Sequence, residues 1–367
     1  MPLFAPRSCP RLIVKIGSAL LVDADGGVRR TWLAGIAAEI AARVADGQQV
    51  AVVSSGAIAL GARRLGLAKG GRASLEDAQA AAATGQIALS QVWAEVLGAH
   101  GLTAAQMLVT LDDLEDRRRY LNASATLDRL LGLGVVPVIN ENDSVATEEI
   151  RFGDNDRLAA RVAQAAGAQG VVLLSDVDGL YDSDPHANPA ARLIERVETI
   201  DETILSFASG GSSSGMGSGG MRSKLEAARI ATSAGIALVI ANGRRENPLS
   251  DGTGTLFAAQ RGASPRKAWL AGRLTVRGRI SVDAGAARAL AAGSSLLAAG
   301  ATAIDGVFAR GDVIDVLHQG RPVARGLSEY DSADAARILG IKSDAQGEIL
   351  GYAPRSALIH RDHLVLI

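Results

Sequence analysis

Six short apolar runs recur through the first 260 residues: Leu12–Ile16, Val50–Val53, Thr103–Val109, Val135–Ile139, Val171–Leu174 and Ile236–Ala241. Ala/Leu-rich segments of helical character separate them, near 31–45, 57–65, 76–98, 118–132, 156–167 and 221–234. A strand that is apolar at almost every position, rather than at alternate ones, has to be covered on both faces. Strands of this kind alternating with helices define an α/β chain: a largely parallel sheet inside a three-layer αβα sandwich.

The character changes after Ala258. Residues 259–274 read as a linker, polar and basic at first, with Gly262 and Pro265. Beyond it strands dominate. Asp283 is placed to cap a short helix running to Ala292, and Asp312–Leu317 and Pro322–Gly326 flank a turn at Gln319-Gly320, the pattern of a hairpin. A second short helix, Ala333–Leu339, should end at Gly340. The expected organisation is a sandwich over 9–258, the linker, and a small β-rich domain over 275–353. The Gly/Ser-rich stretch 209–220 reads as a loop within the sandwich, because a helix and a strand follow it.

Composition excludes several classes. A formal charge of −1 gives no global argument for nucleic acid or a membrane surface. The single cysteine, Cys9, forbids an internal disulfide and fits a reducing compartment. No apolar run reaches the length of a membrane span, and residues 1–10 lack the apolar core of a secretory signal. A cytoplasmic protein is the expectation. The five histidines show no metal-ligand spacing, and no Ser-His-Asp set suggests itself.

Chemistry gathers where the apolar runs end, which is where open α/β sheets bind ligands. Only five of the 38 basic residues are lysines, and one of them, Lys15, interrupts the first run. A buried ammonium needs an anion, and Gly17 beside it lets backbone amides approach one. The second run exits into Ser54-Ser55-Gly56-Ala57, small residues ahead of a helix that suit a backbone anion site. The fourth exits into Asn140-Glu141-Asn142-Asp143, with Gly153-Asp154-Asn155-Asp156 ten residues on. Capping the following helix needs one of these side chains, not all. Asn140 and Asp143 suit an α-amino group or a hydroxyl. The fifth exits into Ser175-Asp176-Val177-Asp178-Gly179, which could hold a nucleotide or simply turn. Finally Gly215–Lys224 runs into a helix. A cation in a helix's first turn opposes the macrodipole, so Lys224 is poorly placed without an anion beside it. The loop is neither a Walker A motif nor a dinucleotide fingerprint. Two lysines, Gly-rich amides and carboxylates to organise them suit phosphoryl transfer without a covalent intermediate.

The motifs VKIGS (14–18), SSGAIALG (54–61), VPVINENDSVATEEIRFGDND (136–156), SDVDGLYDSDP (175–185) and GMGSGGMRSKLEAA (215–228) together resemble the bacterial glutamate 5-kinases, within the amino acid kinase superfamily. The C-terminal stretches GAARALAAGSSLLAAG (285–300), GVFARGDVIDV (306–316) and ARGLSEYDS (324–332) resemble a PUA domain. The resemblance implies ATP-dependent phosphorylation of the L-glutamate γ-carboxylate, the first step of proline synthesis. It implies that Lys15 and Lys224 stabilise the moving phosphoryl group and that Asp156, with Asp154, organises them. By the same resemblance Ser55, Gly56, Asn140, Asp143 and Asn155 bind glutamate. ATP falls to Lys15, Gly17, Ser175, Asp176 and the run Ser218, Gly219, Gly220, Met221, Arg222, Ser223 and Lys224. Magnesium would bridge the ATP phosphates through phosphate oxygens and water, with no direct protein ligand. Ser175 stands where the family commonly has Thr and keeps the hydroxyl. A homo-oligomer, dimer or tetramer, and feedback inhibition by proline are further implications. Other readings are a superfamily kinase for a different carboxylate, and an RNA-binding protein acting through the PUA domain. For the latter, seven Arg against five acidic residues between Arg273 and Tyr330 is too weak a charge excess to argue an RNA footprint.

Overall fold

The computed structural model describes residues 4–23, 27–145, 155–185, 187–209, 220–260, 276–355 and 357–367. Cα packing divides the chain into two units, Met1–Arg261 and Gly262–Ile367. Most of the expected linker, from residue 261 on, lies outside the described residues.

The first unit is built on eight strands: β1 (Arg11–Ile16), β2 (Gln49–Ser54), β3 (Ala104–Val109), β4 (Val136–Glu141), β5 (Gly170–Ser175), β6 (Arg196–Val197), β7 (Ala237–Asn242) and β8 (Thr255–Phe257). Their order across the sheet is β3-β4-β2-β1-β5-β7-β8-β6. The six long strands run parallel, and β8 pairs antiparallel to β7. The α-helices described are α1 (Ser18–Leu21), α2 (Arg30–Ala45), α3 (Ala57–Leu65), α4 (Leu75–Gly98), α5 (Leu111–Glu115), α6 (Arg117–Gly132), α7 (Asn155–Ala166), α8 (Glu202–Ser206) and α9 (Met221–Ser233), of which α1, α5 and α8 are single turns.

Alternation along each strand sorts its side chains into two cores. Ile13, Val53, Ile139, Leu173 and Ile240 pack with Leu131 of α6, Leu158 of α7 and Leu225 of α9. Their neighbours Val14, Val52, Val138, Val172 and Val239 pack on the other face with Ile36 of α2, Leu60 of α3 and Trp93 of α4. Both faces being covered is the reason the strands are apolar throughout. The same period of two fixes one later fact: Lys15 shares a face with Ile13, so it projects toward α7 and α9.

Helices α3 and α4 meet at backbone distance. A Cβ on Gly61 would lie 1.7 Å from the Ala81 carbonyl oxygen, and one on Gly85 would lie 1.8 Å from that of Ala57. Glycine is needed at both positions for that approach.

The second unit carries β9 (Gly278–Val282), α10 (Ala284–Ala291), β10 (Ala301–Asp305), β11 (Val313–His318), β12 (Arg321–Leu327), α11 (Ser332–Arg337), α12 (Ser343–Leu350) and β13 (Leu364–Leu366). Its sheet order is β10-β9-β11-β12-β13, around a core that includes Ile280, Ile314, Val316 and Leu358. The Asp283 side chain accepts from Ala286 N–H and caps α10. Gln319 and Gly320 both take positive φ, 51° and 76°, which suits a two-residue hairpin turn. Helix α11 stops at Arg337, two residues short of the expected Leu339, and the left-handed Gly340 follows one turn later. Among the described residues no helix is long and apolar enough to cross a membrane.

Candidate active site

The C-terminal ends of the parallel strands bring the polar motifs to one edge of the sheet. At its centre stands Asp156, in the first turn of α7 and 1% exposed. Lys15 from β1 lies 2.5 Å from its Oδ1, and Lys224 from the first turn of α9 donates to its Oδ2 at 3.1 Å. Both lysines are at most 7% exposed. Burial alone would raise the Asp156 carboxyl, but the two ammonium groups outweigh it and hold the pKa down at about 2. Two ammonium groups meet on one carboxylate where water is largely excluded. Buried charges are costly unless they are paired.

A second, amide-rich cluster lies beside it. Gly56, with φ of 102°, turns the chain from β2 into α3 in a conformation that favours glycine. Asn155, at the start of α7, donates from Nδ2 to Ser55 Oγ (2.8 Å), to the Ser54 carbonyl (3.2 Å) and to Asn140 Oδ1 (3.2 Å). Asn140 Nδ2 donates in turn to Gln86 Oε1 on α4 at 2.8 Å. The Asn140 amide is thus engaged inside the protein at both ends. Trp93 Nε1 donates to Ser54 Oγ at 3.0 Å and ties the turn to α4. Buried acceptor atoms without a hydrogen-bond partner among the described residues include Asn155 Oδ1 and Asp143 Oδ1. Burial pushes the Asp143 carboxyl up to about 6, against the opposing pull of Arg72. Unfilled buried acceptors call for a donor, and a cationic donor satisfies an ionised Asp143 best.

The remaining predicted residues fall as follows. Ser175 Oγ donates to Asp176 Oδ1 at 3.2 Å, at the exit of β5. Gly220 caps α9, and Met221, Arg222 and Ser223 form its first turn; Arg222 is exposed and 3.6 Å from Glu226. The amide of Gly17 itself donates to the Leu174 carbonyl at 3.2 Å and so extends the β1–β5 ladder. A Cβ on Gly17 would meet Lys15 Nζ at 3.8 Å, an ordinary contact distance, so Gly17 lies beside that ammonium. Asp154, Ser218 and Gly219 lie outside the described residues.

Sequence reasoning missed Gln86, Trp93 and the partners of Asp178. That carboxylate accepts from Asn242 Nδ2 (3.1 Å), Arg245 Nε (3.0 Å) and Tyr181 OH (3.3 Å), which ties the β5 exit to that of β7. These interactions hold the Asp178 carboxyl below the usual range despite its partial burial. A signal for Gln86 was present: it is a lone amide in the Ala-rich run Ala80–Leu89 of a helix that has to bury one face.

Paired lysines on a buried carboxylate, beside an amide-rich cluster with unfilled buried acceptors, at the C-terminal ends of parallel strands, suit a small-molecule phosphotransferase. Residues 10–242 match the model of the amino acid kinase family, and residues 278–349 match the PUA domain. Over its full length the chain is 73% identical to the glutamate 5-kinase of Sphingopyxis alaskensis, all of which it covers. It is 64% identical to that of Novosphingobium aromaticivorans, over 98% of this chain and 97% of the relative, and 62% identical to that of Zymomonas mobilis subsp. mobilis, over 99% and 93%. The chain belongs to the glutamate 5-kinases of the amino acid kinase family.

Proposed function

We infer that this chain transfers the γ-phosphoryl group of ATP to the γ-carboxylate of L-glutamate, giving L-glutamyl 5-phosphate and ADP, the first step of L-proline biosynthesis. The convergence of Lys15 and Lys224 on Asp156 carries the reading. A γ-carboxylate oxygen attacks phosphorus and the bond to the β-phosphate oxygen breaks. The nucleophile is already an anion, so no general base is required. Catalysis then consists of alignment and of neutralising charge on the transferring group. The two ammonium groups supply the neutralisation, and Asp156 keeps them together before substrate arrives. Ser55, Asp143 and Asn155 are the glutamate side of the pocket, with Asp143 and Asn155 Oδ1 as acceptors for the α-ammonium. Ser175, Asp176 and residues 218–224 are the nucleotide side.

Among the described residues no group of three or more His, Cys, Asp or Glu side chains could hold a metal ion, and both Asp156 oxygens face lysines. The described side chains therefore do not fit a magnesium cage of their own. In this reading magnesium belongs to the nucleotide substrate, whose phosphate charge it offsets. With the same reading go a kinase domain over 9–258, a PUA domain over 275–353, cytoplasmic location, a homo-oligomer and proline as feedback inhibitor.

Hydroxamate trapping with ATP and magnesium tests it. Product should form with L-glutamate and not with L-aspartate or N-acetyl-L-glutamate. Equal turnover of aspartate or the N-acetyl compound would assign the chain to a different acid.

A further inference from the structure

We propose that Gln86 is a positioning residue for the substrate's α-ammonium group, acting through the polarity of the two amides Asn140 and Asn155. The inference rests on the glutamate reading above. It starts from the backbone of α4. Ser90 Oγ donates its one proton to the Gln86 carbonyl at 2.8 Å. It can then only accept from the Gln86 side chain, and Gln86 Nε2 lies 3.4 Å from it. That fixes Nε2 toward Ser90 and turns Oε1 toward Asn140. Oε1 accepts from Asn140 Nδ2, so Asn140 Oδ1 faces Asn155 and accepts from its Nδ2. Asn155 Oδ1 is left over as an acceptor, 3% exposed as a residue and unpartnered among the described residues, with Asp143 Oδ1 in the same condition.

Each amide in this series can be reversed, and only its neighbours determine which way it points. Gln86 is 9% exposed, and Asn140 is 1% exposed, so water does little of that work. The Ser54 carbonyl and Ser55 Oγ also draw Asn155 Nδ2, but the amide carries only two protons. If Asn140 reversed, its Nδ2 would face Asn155 Nδ2, donor against donor, and would favour reversal of Asn155 as well. An ammonium would then meet an N–H in place of an oxygen. The reach of Gln86 into this series follows from the backbone contact at the adjacent Gly85, where α4 touches Ala57 just past the Ser55-Gly56 turn.

The test uses the full chain, comparing wild type, Gln86→Met and Gln86→Glu by steady-state kinetics and by melting with and without L-glutamate. Met has nearly the shape of Gln and no acceptor for Asn140; Glu keeps the acceptor. Gln86→Met should raise the glutamate KM about three- to tenfold, the worth of one neutral hydrogen bond, with kcat and the ATP KM within about twofold. Gln86→Glu should bring the glutamate KM back to within about twofold of wild type. A wild-type KM in the Met variant overturns the proposal. So does failure of the Glu variant to rescue, or a joint fall of kcat and melting temperature in both, which is what a packing role would produce. If the wild type shows neither glutamate-dependent turnover nor a glutamate-induced melting shift, the glutamate reading fails and takes this one with it. A normal wild type beside an unaffected Met variant defeats this one alone.

Discussion

Lys15 and Lys224, distant in the chain, bind opposite oxygens of one carboxylate. Deleting a lysine and deleting the carboxylate should differ in kind.

Removing Lys224 leaves Lys15 still paired with Asp156, so the fold should survive. Turnover should not, because half of the charge neutralisation at phosphorus is gone. We expect Lys224→Ala to lose about 10³-fold or more in kcat, the range seen for a charged phosphoryl stabiliser, with an almost unchanged urea midpoint. Asp156→Ala removes the anion and leaves two largely buried ammonium groups facing each other. It should cost about 3–5 kcal/mol of stability. The carboxyl is depressed in the fold to about 2, so its contribution is full above the unfolded carboxyl range near pH 4 and fades as pH falls toward about 2. Acid titration of the wild type should show that loss, and the Asp156 variant should not. Equal destabilisation by the two substitutions would refute the charge argument.

Asp143 has the opposite shift. Burial raises its pKa to about 6, so the folded protein binds a proton there that the unfolded chain has already released. Stability therefore falls as pH rises from about 4 to about 6, and the cost persists at neutral pH. Asp143→Asn should be more stable at pH 7, by an amount on the order of 3 kcal/mol, while binding glutamate poorly. In the wild type the glutamate KM should climb below about pH 6, up to tenfold per pH unit, as the carboxylate that meets the ammonium is protonated. A glutamate KM that is flat from pH 5 to 8 would remove Asp143 from the pocket.

Asn155→Ala separates the two substrates. The Asn155 amide bonds to Ser55, Ser54 and Asn140, on the amide side of the site. Its loss should raise the glutamate KM about tenfold, the cost of leaving polar groups unmatched, with the ATP KM little altered. The reverse pattern would mean that the two halves of the pocket are exchanged.

Much of this architecture was legible in the residues, for reasons that can be named. All six long strands lie within two residues of the apolar runs, and the five inside the sheet are apolar because strands buried on both faces admit few polar positions. Lys15 stood out because it breaks such a run, and Lys224 because it opposes a helix dipole. What the sequence concealed was commitment, meaning which polar atoms are already engaged within the protein. Gly17 offers an amide on paper and gives it to Leu174 in the fold. Asn140 reads as a ligand contact, yet Gln86 and Asn155 engage both of its ends. Asp178 reads as a turn residue or a nucleotide contact and instead anchors Asn242 and Arg245. Each of these pairings joins residues far apart in sequence, and no local pattern encodes them.

The contact of α3 with α4 gives the last prediction, one in which two effects of opposite sign compete. In a free helix Gly→Ala is stabilising by up to about 1 kcal/mol, so Gly85→Ala gains that much intrinsic propensity. The new methyl would stand 1.8 Å from the Ala57 carbonyl oxygen and 2.6 Å from the Gly61 amide nitrogen. Backbone atoms cannot rotate aside as a flexible side chain does, so the helices have to separate. Overpacking of this kind costs about 1–3 kcal/mol, which outweighs the propensity gain. The displacement also has a direction. Helix α3 begins at the Ser55-Gly56 turn and α4 carries Gln86, whereas Lys15, Asp156 and Lys224 pack on the opposite face of the sheet. Gly85→Ala should therefore lower the melting temperature and raise the glutamate KM, while the ATP KM stays near the wild-type value. If the variant is more stable than the wild type, the two helices are not in backbone contact in solution. If instead the ATP KM rises in step with that for glutamate, the two clusters do not respond independently to the sheet's two helical layers.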